Sequence, residues 1–248
     1  MSQRFFVEPP ITGETATLAD AEAHHLIHVM RACPGDEVTL FDGSGAEFAS
    51  RITKLGRTSV DVAVLSRREI SRELPFDLTL GVAMPRGDRQ KWLVEKATEL
   101  GVTRLVPLVT ARSVAEPGSG TLDKLRRAVI ESAKQCGRNR LMQIAPPQPW
   151  SDFLAAAPAD ALRVVAHPTI DTSGSPLSSP IDPSTNAVLV AIGPEGGFTD
   201  EEIAGATQGG WQLVGLGPRI LRIETAALAV VSRLTAREVS TSFSSPRS

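Results

Sequence analysis

Two segments near the C-terminus share one order of features: an apolar run, a Gly-Pro turn and a helix-like pattern. In the first, residues 188–192 precede GPEGGF, and in the second, residues 211–216 precede GPRILRIETA. A strand that ends in a turn and leads into a helix is the repeating unit of a parallel sheet. Because the carboxyl ends of parallel strands meet at one edge, we predict that the two turns together form a pocket there.

Glycines in the two turns would let a ligand approach the main chain. Glycine has no Cβ, so the backbone can come close to a small molecule and offer its own N–H and C=O groups. Gly-Pro pairs are also ordinary turn signals, and for either segment alone that interpretation stays open. The arginine and glutamate residues inside the second segment favour a binding site. The glycines concerned are Gly193, Gly196, Gly197, Gly215 and Gly217.

From residue 76 onward, strand-like and helix-like patterns alternate. Such alternation predicts an α/β domain with a mostly parallel sheet covered by helices. Thr199 and Glu202 form a capping box that begins a helix after the first glycine turn. The last helix has an apolar side too wide for a lone surface helix, which predicts packing in the core or against a second copy of the chain. Strands are predicted at residues 76–84, 104–109, 162–166, 188–192 and 211–216, and helices at 88–100, 122–136, 151–157 and 224–238.

The chain before residue 66 has a different pattern, in which short strand-like runs and glycine-containing turns predict a small β-barrel. One helix interrupts the strands, with Asp20 as its predicted N-cap. His24 and His28 lie one turn apart on this helix, but a metal site would need a third ligand, so no metal is predicted. The charged, aperiodic residues 66–75 mark the predicted domain boundary. The predicted strands are residues 4–7, 37–41, 47–52 and 59–65.

Composition narrows the class of protein. The chain is 42% hydrophobic and 22% charged, as in ordinary globular proteins. No apolar run approaches the roughly 20 residues of a membrane-spanning helix, and no basic segment precedes an apolar one at the N-terminus, so we expect a cytoplasmic protein without membrane contact. Cys33 and Cys136 belong to no CxxC or Cys/His cluster, which indicates neither a zinc site nor a disulfide framework.

Charge is distributed unevenly along the sequence. The net charge of −2 argues against a protein that coats nucleic acid non-specifically. Residues 121–140, however, contain six basic and two acidic side chains, a local net charge of +4. This basic segment is compatible with a selective RNA substrate, although a run of charges is most often a solvated helix face.

Several enzyme classes lose support because their motifs are missing from the sequence. There is no GxxxxGK[ST] of a P-loop nucleotide hydrolase and no GxSxG of a serine hydrolase, and residues 193–197 do not match the GxGxxG of dinucleotide-binding proteins. A ligand pocket built from backbone turns in an α/β domain remains.

The two late segments resemble the paired signature of the small-subunit ribosomal RNA uracil-N3 methyltransferases, a branch of the knotted SPOUT methyltransferases. The resemblance implies a SPOUT methyltransferase domain with a deep trefoil knot over residues 76–240, a PUA-like, RNA-binding β-barrel over residues 1–70, and a flexible tail over residues 241–248. Further motifs of the family follow in the same order along the chain: Arg4-Phe5-Phe6, Leu40-Phe41-Asp42-Gly43, Arg86-Gly87, KATELGV at residues 96–102 and ESAKQCGRN at residues 131–139.

The resemblance also implies that the pocket binds S-adenosylmethionine in a bent form. Main-chain groups of the second turn would hold the adenine, and the first turn would line the methionine side. No metal is required, because the sulfonium already supplies the electrophile. The residues assigned to the cofactor are His167, Ile192, Gly193, Pro194, Glu195, Gly196, Gly197, Leu216, Gly217, Ile220, Leu221, Arg222 and Thr225.

Methylation of a uracil at N3 sets the requirements for catalytic residues. N3 must lose its proton, and negative charge then develops on O2 and O4, where arginine or backbone N–H donors would stabilise the transition state. Arg222 and Glu224 could instead be a simple helix-start pair. The predicted catalytic residues are Arg222, Glu224, Arg219 and Arg138. The predicted RNA-binding residues are Arg4, Arg86, Arg126, Arg127, Arg138, Asn139 and Arg140.

The sequence is thus interpreted as a cytoplasmic, homodimeric methyltransferase that uses S-adenosylmethionine and acts on N3 of one uridine in 16S ribosomal RNA. By resemblance the target is uridine 1498. The substrate would be small-subunit RNA or the assembled small subunit. Three alternatives stay open: a SPOUT methyltransferase with another RNA target, a non-catalytic RNA-binding protein, and a small-molecule α/β enzyme.

Overall fold

The chain packs as two compact units. The structure, a computed structural model, describes residues 4–114, 117–168 and 181–236. The first unit contains the chain up to Glu73 together with Ile130–Leu141, and the second contains Leu74–Val129 and the chain from Met142 onward. The return of residues 130–141 to the first unit was not predicted.

The first unit is built on a five-stranded sheet in the order β1-β3-β4-β5-β2. Its neighbouring strands are antiparallel, except that β1 is parallel to β3. The sheet curls into a half-barrel of PUA-like class, which confirms the predicted class of this unit. Side chains alternate along β4, so Ala46, Phe48, Ser50 and Ile52 all face the core. The strands are β1 Arg4–Phe6, β2 Thr15–Ala19, β3 Glu37–Phe41, β4 Ala46–Leu55 and β5 Ser59–Glu69.

Three local features of the first unit differ from the sequence predictions. β2 was not predicted, and β5 continues to Glu69 because its last residues pair with the start of β4, inside the segment predicted to be a boundary. Helix α1, Asp20–His24, begins at Asp20 with φ of 48°, and Ala19 is its N-cap, so the predicted capping role of Asp20 is wrong. A π-helical turn, His25–Val29, follows directly.

The second unit contains a seven-stranded sheet, and all its strand pairs are parallel. The order is β12-β10-β11-β6-β7-β8, and β9 pairs with β7. β11 is buried from Val188 to Ile192, since a central parallel strand is covered on both faces. The strands are β6 Asp77–Val82, β7 Arg104–Val109, β8 Gln143–Ile144, β9 Gln148–Pro149, β10 Leu162–Ala166, β11 Ala187–Ile192 and β12 Gln212–Val214.

Helices cover this sheet, as the alternating pattern predicted. The capping box of α5 is confirmed, because the Thr199 hydroxyl accepts from the Glu202 amide and the Glu202 carboxylate accepts from the Thr199 amide. The last helix, α6, packs against α2, β11 and β6, which accounts for its wide apolar side. The helices of this unit are α2 Arg89–Glu99, α4 Trp150–Ala155, α5 Asp200–Gln208 and α6 Ile223–Thr235. Helix α3, Ser119–Cys136, begins in this unit, and its residues from Ile130 onward belong to the first unit.

Some predictions fall wholly or partly outside the described residues. The predicted tail at residues 241–248 and the end of the predicted last helix lie there, as does much of the connection between β10 and β11. The trefoil knot stays a prediction, because residues 169–180 of that connection are not among the described residues. Within the described residues, no helix is both long enough and apolar enough to cross a membrane.

Candidate active site

A cavity of about 520 Å³ opens at the carboxyl edge of the parallel sheet. β12, β10 and β11 are neighbours in that order, so the segments that follow their last residues must lie side by side. Three segments contribute most of the lining of the cavity. They are residues 193–198 after β11, residues 216–221 after β12, and residues 166–168, which comprise the last residue of β10 and the two residues after it. Carboxyl ends of adjacent parallel strands are where open α/β sheets bind ligands.

The loop after β11, residues 193–198, is held by a hydrogen bond of its own backbone and by the packing of its aromatic residue. Gly197 has φ of 69°, and its amide donates to the Pro194 carbonyl at 2.8 Å. A Cβ on Gly193 would lie 3.0 Å from two ring carbons of Phe198. Phe198 is itself buried, with its ring centroid 4.5 Å from that of Trp150. The loop therefore packs its aromatic residue into the core, while all six of its residues line the cavity.

The turn after β7 supports the same loop from outside the cavity. Arg112 donates from Nη1 to the Gly196 carbonyl at 2.8 Å. The Ala111 amide donates to Glu202 Oε1 at 2.8 Å, so the glutamate of the capping box also holds this turn. Neither contact was predicted, because no local pattern connects residues so far apart in sequence.

The loop after β12 carries exposed side chains at the rim of the cavity. Gly217 has φ of 96°, a conformation that favours glycine. Arg219 and Ile220 both line the cavity, and Ile220 is 93% exposed. Arg222 is exposed and is the N-cap of α6, without a hydrogen bond from its side chain to the helix.

The first turn of α6 divides its residues among three environments. Ile223 and Ala226, three residues apart and thus on one side of the helix, line the cavity. Thr225 is exposed, whereas Glu224 is buried at 6% exposure. The carboxylate of Glu224 contacts Arg89 of α2, with 3.7 Å between Oε1 and Nη1. Glu224 is therefore directed toward α2 and is not among the cavity-lining residues.

Comparison with known proteins identifies the family. A family model described as an RNA methyltransferase domain matches residues 72–235, about two thirds of the chain. The chain belongs to the RNA methyltransferase family. A second model, described as an RNA methyltransferase PUA domain, matches residues 18–65 of the methyltransferase.

Named relatives of this methyltransferase cover nearly all of it. The ribosomal RNA small subunit methyltransferase E of Synechocystis is 33% identical over 95% of this chain and 78% of its own. The Bacillus subtilis protein of the same name is 30% identical, over 94% of this chain and 96% of its own. The Neisseria gonorrhoeae protein of that name, solved with S-adenosyl methionine, is 31% identical with a TM-score of 0.86, covering 95% and 98% of the two chains. These similarities confirm the predicted SPOUT-type fold class.

Most residues that were assigned to the cofactor surround the cavity of this methyltransferase. Two of them, Arg222 and Thr225, are not among its described lining residues. The cavity also includes Arg219, which was predicted as catalytic, and Pro168, which was expected beside His167 close to the cofactor. Four further lining residues were not predicted: Ala166, Phe198, Ile223 and Ala226. The predicted residues that line it are His167, Ile192, Gly193, Pro194, Glu195, Gly196, Gly197, Leu216, Gly217, Ile220 and Leu221.

Arg138 belongs to the first unit, whereas the cavity and the other predicted catalytic residues belong to the second. Arg138 is 3% exposed, and its Nε donates to both carboxylate oxygens of Glu73 at 3.1 Å. Asn139, at 1% exposure, accepts from Arg4 Nη2 at 2.7 Å and donates to the Ile70 carbonyl at 2.9 Å. In the structure, the contacts of Arg4, Arg138 and Asn139 hold the returning segment in the first unit. Their predicted catalytic and RNA-binding roles stay predictions.

The other residues predicted to bind RNA have exposed side chains. Arg126 and Arg127 lie on α3 in the second unit, and Arg86 precedes α2 in the same unit. Arg140 lies in the returning segment of the first unit. Arg126 contacts Asp123 at 3.0 Å one helical turn away, an exposed pair that leaves it accessible.

Proposed function

We propose that this RNA methyltransferase uses S-adenosylmethionine to methylate N3 of one uridine in the RNA of the small ribosomal subunit, uridine 1498 of 16S RNA. One observation carries the proposal: a cavity between two glycine-containing turns at the carboxyl ends of three adjacent parallel strands. Relatives over nearly the whole chain are named for methylation of small-subunit RNA, and a relative of the same fold was solved with this cofactor.

The cavity fits the cofactor by size and by chemistry. Its volume of about 520 Å³ is within the range of small-molecule sites. Ile192, Leu216 and Leu221 supply apolar surface suited to a flat adenine, while the main chain of residues 193–197 offers polar groups to the amino-acid part. When bound, the cofactor supplies the electrophilic methyl group of its sulfonium.

The arginines of the rim are suited to the nucleobase. Arg219 and Arg222 are exposed at the end of the loop after β12 and at the start of α6. Guanidinium groups there can donate hydrogen bonds to O2 and O4, where negative charge develops as N3 loses its proton. Because Glu224 is buried against Arg89, it is better suited to holding that arginine than to accepting the proton of N3.

The decisive experiment combines two measurements. Calorimetry should detect binding of S-adenosylmethionine to the purified protein. Small subunits and naked 16S RNA, both lacking the modification, are then incubated with the protein and labelled cofactor, and their nucleosides are analysed by mass spectrometry. Labelled 3-methyluridine at one site supports the proposal, and comparison of the two substrates identifies the preferred form. A methylated ribose, or cofactor binding without methyl transfer to either substrate, would contradict it.

Two further predictions from the resemblance belong to this proposal. We propose that the protein acts in the cytoplasm, where small subunits are assembled, and as a homodimer. Light scattering at micromolar concentration tests the second point, since a monomeric mass would contradict it.

A further inference from the structure

Arg89 lies between two carboxylates that belong to different walls of the cavity. Its Nη2 is 3.8 Å from Oε1 of Glu195, in the loop after β11. Its Nη1 is 3.7 Å from Oε1 of Glu224, in the first turn of α6. A single guanidinium thus reaches both walls, although Arg89 is not among the described cavity-lining residues.

The two carboxylates differ in their need for this cation. The Glu224 side chain is 8% exposed, and its Oε2 is buried without a hydrogen-bond partner in the described part of the chain. A buried carboxylate is costly unless a positive group compensates it. The N-terminus of α6 contributes part of that compensation, and Arg89 contributes a full charge. The Glu195 side chain is 45% exposed and does line the cavity. Because water already solvates this carboxylate, the contact with Arg89 mainly determines where the side chain lies.

Packing and a hydrogen bond hold the start of α2, which carries Arg89. Arg89 is the first residue of α2, and β6, which precedes this helix, is the sheet neighbour of β11. Gln90 Nε2 donates to the Pro85 carbonyl at 2.7 Å, which closes the turn between β6 and the helix. α2 also packs against α6. The guanidinium therefore extends from the start of a packed helix toward two segments that border the cavity.

We propose that Arg89 is a positioning residue, which rests on the function proposed above. By holding Glu195 and Glu224 at once, it sets the spacing between the loop at residues 193–198 and the start of α6, and with it the shape of the cofactor cavity. At 3.7 and 3.8 Å both contacts are longer than hydrogen bonds, so Arg89 holds the two carboxylates by its charge. Arg89 acts through Glu195, which lines the cavity, and not by touching the substrate.

The proposal predicts a specific effect of Arg89 on cofactor affinity. Arg89→Met should raise the Kd and the KM for S-adenosylmethionine about fivefold while changing kcat less than about twofold, since a half-exposed ion pair contributes at most about 1 kcal/mol, which corresponds to about fivefold in binding. Arg89→Lys should recover part of the affinity. Lys91→Gln is the matched control: it removes a positive charge from the same helix, where Lys91 contacts Glu95 at 3.5 Å, and should leave the Kd unchanged.

A double variant separates positioning from simple stabilisation of the helix. If Arg89 acts in part through Glu195, Arg89→Met should raise the Kd by a smaller factor in a Glu195→Gln background than in the parent protein. Melting temperatures of all variants identify losses due to unfolding. An Arg89→Met protein that binds the cofactor as tightly as the parent, or effects that multiply in the double variant, would overturn the inference while leaving the proposed function intact. A parent protein that does not bind the cofactor would overturn both.

Discussion

The ring of Phe198 occupies the space into which a side chain at Gly193 would project, with two ring carbons 3.0 Å from an ideal Cβ position. Gly193 follows the last residue of β11 and lines the cavity, and Phe198 ends the same loop, buried in the aromatic cluster of the second unit. The absence of a side chain at Gly193 therefore allows the loop to turn back over its own aromatic residue. Cavity shape and core packing are coupled at this position.

Replacement of Gly193 by alanine tests this coupling. The added methyl group must displace a buried ring, and overpacking of this kind costs about 1–3 kcal/mol. We expect a lower unfolding midpoint in urea and a higher Kd for S-adenosylmethionine. Gly205→Ala is the control, because Gly205 lies in α5 with nothing within 4 Å of a Cβ, and the substitution should stabilise the protein by about 0.5–1 kcal/mol. Equal stability of the two variants would contradict this explanation.

Local sequence patterns predicted the elements that form the cavity. The apolar run before Gly193, the capping box at Thr199 and Glu202 and the strand at residues 162–166 all appear in the structure as predicted. Periodicity and turn chemistry act over a few residues, so their signals can be read directly from the chain. The motif GPEGGF, however, indicates either an ordinary turn or a place of close approach for a ligand, and its packing role could be recognised only from the position of Phe198.

Contacts between distant segments could not be predicted in the same way. The position of Arg89 opposite Glu195 and Glu224 depends on the adjacency of β6 and β11, which local periodicity does not specify. From the sequence, Arg138 is expected to be an exposed cation that binds RNA. In the structure it is buried and forms an ion pair with Glu73, which is distant in sequence. Each case depends on strand order or on the return of a segment, and both are global properties of the fold.

Arg112 should affect cofactor binding without touching the cofactor. Its hydrogen bond to the Gly196 carbonyl holds the loop at residues 193–198 from outside. A hydrogen bond of this kind contributes about 1 kcal/mol, so Arg112→Met should weaken binding of S-adenosylmethionine roughly fivefold in calorimetry. Arg104→Met is the control, since Arg104 is the first residue of β7 and therefore lies at the amino ends of the parallel strands, away from the cavity at their carboxyl ends. An unchanged Kd for Arg112→Met would show that the loop is held without this contact.

Arg222 should contribute to the rate and not to the affinity for the cofactor. It is exposed, lies outside the cavity lining and makes no capping hydrogen bond, so Arg222→Ala should leave stability and the Kd for S-adenosylmethionine nearly unchanged. Loss of a donor to the developing uracil anion should lower kcat about 100-fold in a methyl-transfer assay. Arg233→Ala, at the other end of α6, serves as the control. A loss confined to cofactor affinity would contradict the assignment.

Arg126 and Arg127 test the RNA-binding interpretation of α3. Both side chains are exposed, so Arg126→Gln with Arg127→Gln should not reduce stability appreciably. If each contacts a phosphate, the double variant should bind small-subunit RNA more weakly. The slope of log affinity against log salt is negative, and its magnitude should decrease by roughly 1.5. Affinity for S-adenosylmethionine should stay the same. Filter-binding measurements over a salt series check the slope, and an unchanged slope would indicate a solvated helix face.

Glu47 should make stability dependent on pH in the acidic range. It accepts hydrogen bonds from Arg4 and, at 2.8 Å, from Arg72, and its side chain is 16% exposed. Burial alone would raise its pKa, but the hydrogen bonds from Arg72 and Arg4 outweigh burial and hold the pKa below its ordinary value of 4.5. The unfolded chain therefore binds more protons than the folded one in this range, and the contribution of Glu47 is present above pH 4.5 and lost as the pH falls through the folded pKa.

Glu47→Gln should accordingly destabilise the protein by about 1–3 kcal/mol at neutral pH, because two guanidinium groups lose an ionised acceptor. The difference from the parent protein should shrink as the pH falls below 4.5 and through the lowered folded pKa of Glu47, because the parent then loses the same charge. Urea unfolding of both proteins across this range measures the difference. Glu37→Gln is the control: its pair with Arg51 is exposed, so the change should stay within about 0.5 kcal/mol. A Glu47→Gln deficit that stays constant down to low pH would mean that packing around Glu47, and not its charge, stabilises the first unit.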